Sequence, residues 1–399
     1  MSKPVISNHF INRPLLLPCG AVIKNRFLKS AMSDSLADGQ GNSTDAQARL
    51  YQRWAEGGVG LSIIGEVQVT PLYPEAPGNL FLGEGANKNK LKSLTAGAAI
   101  DGAHIWPQLG HAGGLSYLPL SKPKGPSPLN VDGFQCDGMS DQEIAQLPDM
   151  YAKAAILAKQ VGFTGVQIHA GHGFLLSQFL SPLFNLRNDQ YGVSIAARCQ
   201  IIVEIIAKVR SVVGDKFPVG IKLNSSDQLE GGLTPKDALQ VITILDHTSI
   251  DLIEISGGSY FPGAKSSSDS ATKGPYFVDF AKQAKCLTTI PLVVTGGFKT
   301  REQVQNTLEH DAIDMVGLAR ALVLNPELVN DWITKSNADP DFPRFKKPPQ
   351  GGVTAWYTML LTAISNGSES DFKLDLLSAI RCYEERDQAR CEKWKSQFQ

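Results

Sequence analysis

The chain has 399 residues, 42% hydrophobic and 19% charged, with a formal net charge of -1 at pH 7, a composition that excludes a disordered or coiled-coil protein. A balance so close to zero argues against nucleic acid as the main partner, because phosphate binding needs a basic face. The six cysteines (Cys19, Cys136, Cys199, Cys286, Cys382, Cys391) form no C-x-x-C pair of the kind that zinc ribbons and iron–sulfur clusters use.

The opening MSKPVISNHFINRP lacks the apolar run of a signal peptide. No later stretch approaches the ~18 apolar residues that span a membrane, so a cytoplasmic protein without a membrane partner is expected. The first apolar pieces, 15–17 and 21–23, flank Pro18, Cys19 and Gly20 and read as a small hairpin fit to plug a barrel floor. From there to Pro326 short apolar runs alternate with longer amphipathic stretches, the pattern of a parallel sheet with crossover helices. The expected strands are 27–31, 61–66, 105–109, 165–169, 219–224, 252–256, 292–295 and 315–318. Eight is the number that closes a (β/α)₈ TIM barrel, which barrel enzymes build as one domain of roughly 250 residues or more.

Helical spacing marks 46–54, 141–161, 197–213, 235–246 and 300–310. Ser140 with Glu143 gives the second a capping box, and Thr234 with Pro235 starts the fourth. The Gly/Pro/Ser-rich stretch 110–139 has no clear period and reads as an irregular excursion over the top face, with a second long loop after His169. Beyond Pro340, DFPRFKKPPQGG reads as a linker, and 353–399 as a helical extension that packs on the barrel or on a partner subunit.

In such a barrel the active site lies at the carboxyl ends of the strands. Ser33, Glu66, Gln108, His169, His172, Lys222, glycine pairs after strands six and seven, and Arg320 after strand eight all fall there. Gly296 and Gly297 let backbone N–H groups approach an anion and Arg320 adds a charged fork, so a phosphate site outweighs the reading as turn glycines and a surface charge. The Gln108 amide offers donor and acceptor together, as a flavin pyrimidine requires, and a cation such as Lys222 would stabilise a reduced flavin near N1. A lysine inside VGIKLN is seldom a surface lysine, although a Schiff-base lysine of an aldolase is a second reading. His169 and His172 suit a pair of hydrogen-bond donors to one substrate oxygen. They also fit a structural pair or two metal ligands, although no carboxylate has obvious spacing for a third.

These residues carry a family resemblance. VQIHAGHGFLLSQFLSPLFNLRNDQYG from Val166, together with KSAMSDSLADGQGNSTD, GGVGLSIIGEVQV, PQLGHAGG, GIKLNSSD, EISGG, VVTGGF and VGLAR, resembles the blocks of the old yellow enzyme family in their order. The resemblance implies tightly but non-covalently bound FMN in a barrel over 1–338, followed by the linker and helical extension 339–399. It implies an ene-reductase-like activity, in which NADH or NADPH passes hydride by way of flavin N5, in ping-pong, to an activated alkene, quinone or nitro compound. Ala31, Met32 and Ser33 would line the flavin, and Glu66 would bind it by its backbone. Gln108 and Lys222 would hold the pyrimidine edge, and Gly296, Gly297, Ala319 and Arg320 the phosphate. His169, also beside the flavin, and His172 would hold the acceptor oxygen and act as the catalytic pair, with Phe174 and Tyr260 lining the substrate site and no metal. Asn185, Arg187, Asp189, Tyr191 and Arg198 would brace the long loop.

Departures from the pattern matter as much. Phe174 stands where many relatives carry a proton-donating tyrosine, Gly114 where an arginine often ends the Q-L-x-H-A-G block, and Ser35 where some relatives place an aromatic. The second proton for an alkene would then come from Tyr260, Tyr117 or water. The partners expected are the nicotinamide nucleotide and a small acceptor, with room for a second copy of the chain. The rival readings are a phosphate-binding aldolase or isomerase using Lys222, and a flavin-binding protein without turnover.

Overall fold

The computed structural model describes residues 10–131, 133–261, 274–334 and 339–399; residues 1–9 and 335–338, which the expected barrel segment includes, lie outside them. Eight parallel strands close on themselves: Phe27–Lys29, Leu61–Gln68, His104–Gly110, Val166–Ala170, Val219–Asn224, Leu252–Ser256, Leu292–Thr295 and Met315–Leu318. They are numbered one to eight below. Strand eight pairs with strand one and strand one with strand two, which completes the ring. Strand one is shorter than its sequence suggests, stopping at Lys29, and strand two runs on to Gln68 through a register shift between Ile64 and Val67.

Crossover helices follow the expected caps. Ser140 and Glu143 form a reciprocal box at Asp141–Gln160, and Thr234 and Asp237 do so at Pro235–Asp246. Two further helices, Lys88–Ala98 and Val278–Lys285, escape the periodicity because each buries so little: the second covers only Ala281 and Ala284. The excursion after strand three is ordered as a three-stranded lid, Lys124–Gly125, Leu129–Val131 and Phe134–Gly138. Among the described residues no helix is long and apolar enough to cross a membrane.

Alternate residues of a strand face the same side, so each barrel strand sends every second side chain inward. Leu28, Leu61, Ile63, Trp106, Leu252, Val293 and Met315 make an apolar lower layer, closed from below by Leu15, Leu17 and Ile23 of the antiparallel hairpin. Two residues further along, the same strands turn polar.

The C-terminal helices Gly352–Ser365 and Leu376–Phe398 pack against the barrel's own elements. Trp394 Nε1 donates to Pro71 O at 3.1 Å, and Arg390 Nη1 to Ser35 O at 2.7 Å.

Candidate active site

Strand register brings the polar layer together. His169 lies opposite Lys222, Lys222 opposite Glu254, and Gln167 opposite Gln108. The Gln108 amide donates to Gln167 Oε1 at 2.6 Å, and Gln167 donates in turn to Glu254 Oε2 at 2.7 Å. Glu254 Oε1 accepts from Thr295 Oγ1 at 2.6 Å and lies 3.2 Å from Lys222 Nζ. Burial pushes the Glu254 carboxyl up, but Lys222 and the donors from Thr295, Gln167 and Ser30 outweigh it and hold it below its ordinary value. Lys222 is therefore a buried partner of a carboxylate, 2% exposed.

Above this layer stand the two histidines, ring centroids 5.2 Å apart. Burial, with the nearby Lys222 charge, lowers His169 to about 3 and His172 well below its ordinary value, so both rings are uncharged at neutral pH. His169 Nδ1 accepts from the Gly171 N–H at 3.3 Å, which leaves the ring proton on Nε2. That nitrogen lies 2.9 Å from Glu66 Oε1, off the line a hydrogen bond needs, and has no hydrogen-bond partner among the described residues. His172 is held at φ 59° by Asn224 Oδ1, which accepts its backbone N–H at 3.0 Å, and its Nε2 meets Ser256 Oγ at 2.9 Å.

Phe174, buried, and Tyr260, 65% exposed, complete an aromatic wall. Their centroids lie 5.7 Å apart, with Phe174 at 5.2 Å from His169 and Tyr260 at 5.8 Å from His172. Tyr117, the other tyrosine considered as a proton source, is not part of this wall; it packs with Leu120, Cys391 and Trp394 beside the second tail helix. Where an arginine would follow the Q-L-x-H-A-G block, a Cβ on Gly114 would lie 2.8 Å from Phe134 Cζ, so the lid's phenylalanine occupies that room.

Ser33 bridges to Gly65 beside Ala31 and Met32, and its hydroxyl donates to Asn79 Oδ1 at 3.3 Å. Ser35 accepts a hydrogen bond from Arg390 Nη1 at 3.0 Å. After strand seven Gly296 and Gly297 have φ 129° and 84°, and a Cβ on Gly297 would come 2.2 Å from Gly274 O. Ala319 precedes Arg320, whose guanidinium lies 5.2 Å from the Tyr357 ring centroid of the first tail helix. The bracing residues lie outside this mouth: Asn185 donates to Phe179 O and Tyr191 O, Arg187 to Pro126 O and Met139 O, and Arg198 to Leu180 O.

The donor set fits FMN. A buried lysine and a glutamine amide converge from strands five and three, the His169 N–H lacks a partner, and a cradle that a Cβ would fill sits beside an arginine. Among the described residues no group of three His, Cys, Asp or Glu could hold a metal ion. Sequence reasoning passed over Glu254 and Gln167. Both sit in apolar strand runs, a signal visible in the sequence, but only the register places them beside Lys222 and Gln108.

Residues 14–337 match the NADH:flavin oxidoreductase / NADH oxidase family. The NADH-dependent flavin oxidoreductase iliE of Hypocrea jecorina (strain QM6a) is 33% identical over 388 residues, 86% of this chain and 95% of that protein. The protein of the same name from Neonectria sp. (strain DH2) is 32% identical over 360 residues, 81% of this chain but 47% of the relative, so this chain spans less than half of its length. Among solved structures, a 2-naphthoyl-CoA reductase complex superposes with a TM-score of 0.76 at 23% identity, over 82% of this chain and 52% of that one. The old yellow enzyme homologue from Zymomonas mobilis gives 0.72 at 22%, over 87% and 98%. Likeness at that identity speaks for the fold, and the family match speaks for descent: the chain belongs to the NADH:flavin oxidoreductase / NADH oxidase family of FMN-binding barrels.

Proposed function

We propose that the chain is an FMN-dependent NAD(P)H oxidoreductase that reduces a small electron-poor acceptor, a quinone, nitro compound or activated alkene, in a ping-pong cycle. The observation that carries this reading is the uncharged pair His169 and His172, with the His169 Nε2–H unpartnered above a buried Lys222. When bound, FMN supplies two-electron hydride transfer between nicotinamide and acceptor.

The chain's own residues do the rest. Ala31, Met32, Ser33, the Glu66 backbone, Gln108 and Lys222 hold and orient the ring, and Gly296, Gly297, Ala319 and Arg320 take the phosphate. His169 Nε2–H and His172 donate to the acceptor oxygen, where charge develops during reduction. Phe174 and Tyr260 wall the acceptor from water. The aldolase reading is disfavoured because Lys222 is committed to Glu254 at 3.2 Å, whereas a Schiff base needs a free amine.

The test is spectroscopic. The purified protein should be yellow, bleach with NADH or NADPH without oxygen, and recover its colour on adding a quinone. His169→Ala with His172→Ala should keep the flavin and slow recovery by about 10²–10³-fold. A protein that NAD(P)H never bleaches is a binder without turnover.

A further inference from the structure

Phe174 has no proton to give, yet the mouth of the barrel holds an acid that the cofactor reading leaves unused. Glu66 reaches inward from strand two with its side chain 8% exposed, and Oε1 lies 2.9 Å from His169 Nε2, the atom assigned to the acceptor oxygen. Its second oxygen, Oε2, has no partner among the described residues and points toward Gly110 of strand three, where a Cβ would come within 2.5 Å of it. The missing Cβ gives the carboxyl its room.

We propose that Glu66 is the acid that protonates the acceptor's oxygen while His169 and His172 hold it. The inference rests on the oxidoreductase reading above and deepens it. NAD(P)H, through the family's flavin chemistry, supplies the hydride, and the electron pair it displaces collects on the acceptor oxygen. The Glu66 O–H bond breaks with its electrons left on the carboxylate, and a new O–H bond forms on the acceptor. A quinone leaves as the hydroquinone and an enone as its enol; water then reprotonates Glu66.

Burial raises the Glu66 carboxyl to about 8 against the opposing pull of Lys222, so it is a neutral acid at pH 7. The other groups that face it are His169 from strand four, Glu75 from its own loop, Tyr151 from the helix Asp141–Gln160 and Tyr260 after strand six. Glu75 is itself raised to about 7, by burial first and then by the Glu66 carboxylate, so it is a second buried carboxyl in the mouth. An acid beside the oxygen and a phenylalanine where carbon would be protonated make one prediction: the α-carbon of an enone takes its proton in water after release.

The test has three readouts. Infrared spectra of wild type, with and without flavin, should show a protonated-carboxyl C=O component that titrates near pH 8 and that Glu66→Gln lacks, separate from that of Glu75, raised to about 7. The rate of flavin reoxidation by a quinone should fall above pH ~8 in wild type, and fully flavinated Glu66→Gln should lose that limb and be slower by about 10²-fold. An α-methyl enone reduced in heavy water should carry deuterium at the α-carbon in both configurations. Should Glu66→Gln fail to hold flavin, Gly110→Ala displaces the carboxyl without deleting it and should slow reoxidation likewise. A component titrating near pH 8 that persists in Glu66→Gln, an unchanged quinone rate, or a single α-carbon configuration overturns the proposal while leaving the oxidoreductase reading intact. Failure of yellow wild type to reduce any acceptor defeats that reading itself, before a variant is made.

Discussion

The floor and the mouth of this barrel come from the same eight strands and have opposite characters. At the floor, Leu28, Ile63, Trp106, Leu252, Val293 and Met315 interlock with a hairpin. Two steps along the strands, Gln108, Lys222, Glu254 and Thr295 form a hydrogen-bonded layer, and above it Glu66 Oε2, His111 Nε2 and His169 Nε2 are buried without a hydrogen-bond partner among the described residues. Unpartnered buried polar atoms cost stability, about 1–3 kcal/mol each. The floor has such an atom as well, Trp106 Nε1, but there it sits among apolar contacts, whereas in the mouth several gather where a ligand would bind.

Substitution separates the two. The largest effect on folding is expected at Trp106, fully buried where Gly165 and Gly220 leave room for its ring. Trp106→Ala should lose about 3–5 kcal/mol in denaturant unfolding. An equal loss from a mouth variant would erase the distinction.

Arg320→Ala should do the reverse. Removing a charge-assisted fork should weaken FMN binding by about 2–4 kcal/mol in a flavin titration, with unfolding of the flavin-free protein barely moved. Full flavin occupancy after purification would sink the phosphate assignment.

Glu66 is expected to act on stability itself through pH. Its carboxyl sits near 8 folded and about 4.3 unfolded, so the native state binds more protons between those values. Wild type should therefore lose stability as pH rises through that window, and Glu66→Gln should flatten that fall. Parallel stability profiles would mean that the acid is ordinary.

The smallest change is Phe174→Tyr. A phenol 5.2 Å from the His169 ring should speed enone reduction by roughly tenfold or less, short of the full general-acid range, and leave quinones nearly untouched. No gain on enones would mean that position 174 does not face the α-carbon.

Much of the fold could be read from the sequence because parallel strands buried on both faces are continuous apolar runs, as in 219–224 and 252–256, with caps such as Ser140 and Thr234 marking the helices. The lid, 124–138, could not, since its short strands are half exposed and lack a clean alternation. Lys88–Ala98 buries only Leu91, Leu94, Thr95 and Ala98, too thin a stripe to stand out. In the site, His169, His172 and Lys222 declared themselves by motif. Glu254 became visible only through register, and the Glu66 side chain only through the orphaned oxygen that backbone-based reasoning had no means to see.

The ties between the second tail helix and the mouth carry a consequence for timing. Ser35 and Pro71 receive hydrogen bonds from residues 355 and 323 positions later in the chain. On a ribosome, strands one and two emerge long before Arg390 and Trp394, so the loops that frame the mouth wait for their last donors while the floor already has its hairpin. Cofactor loading then comes late, and a nascent chain stalled before Arg390 should collapse into a barrel that holds flavin poorly.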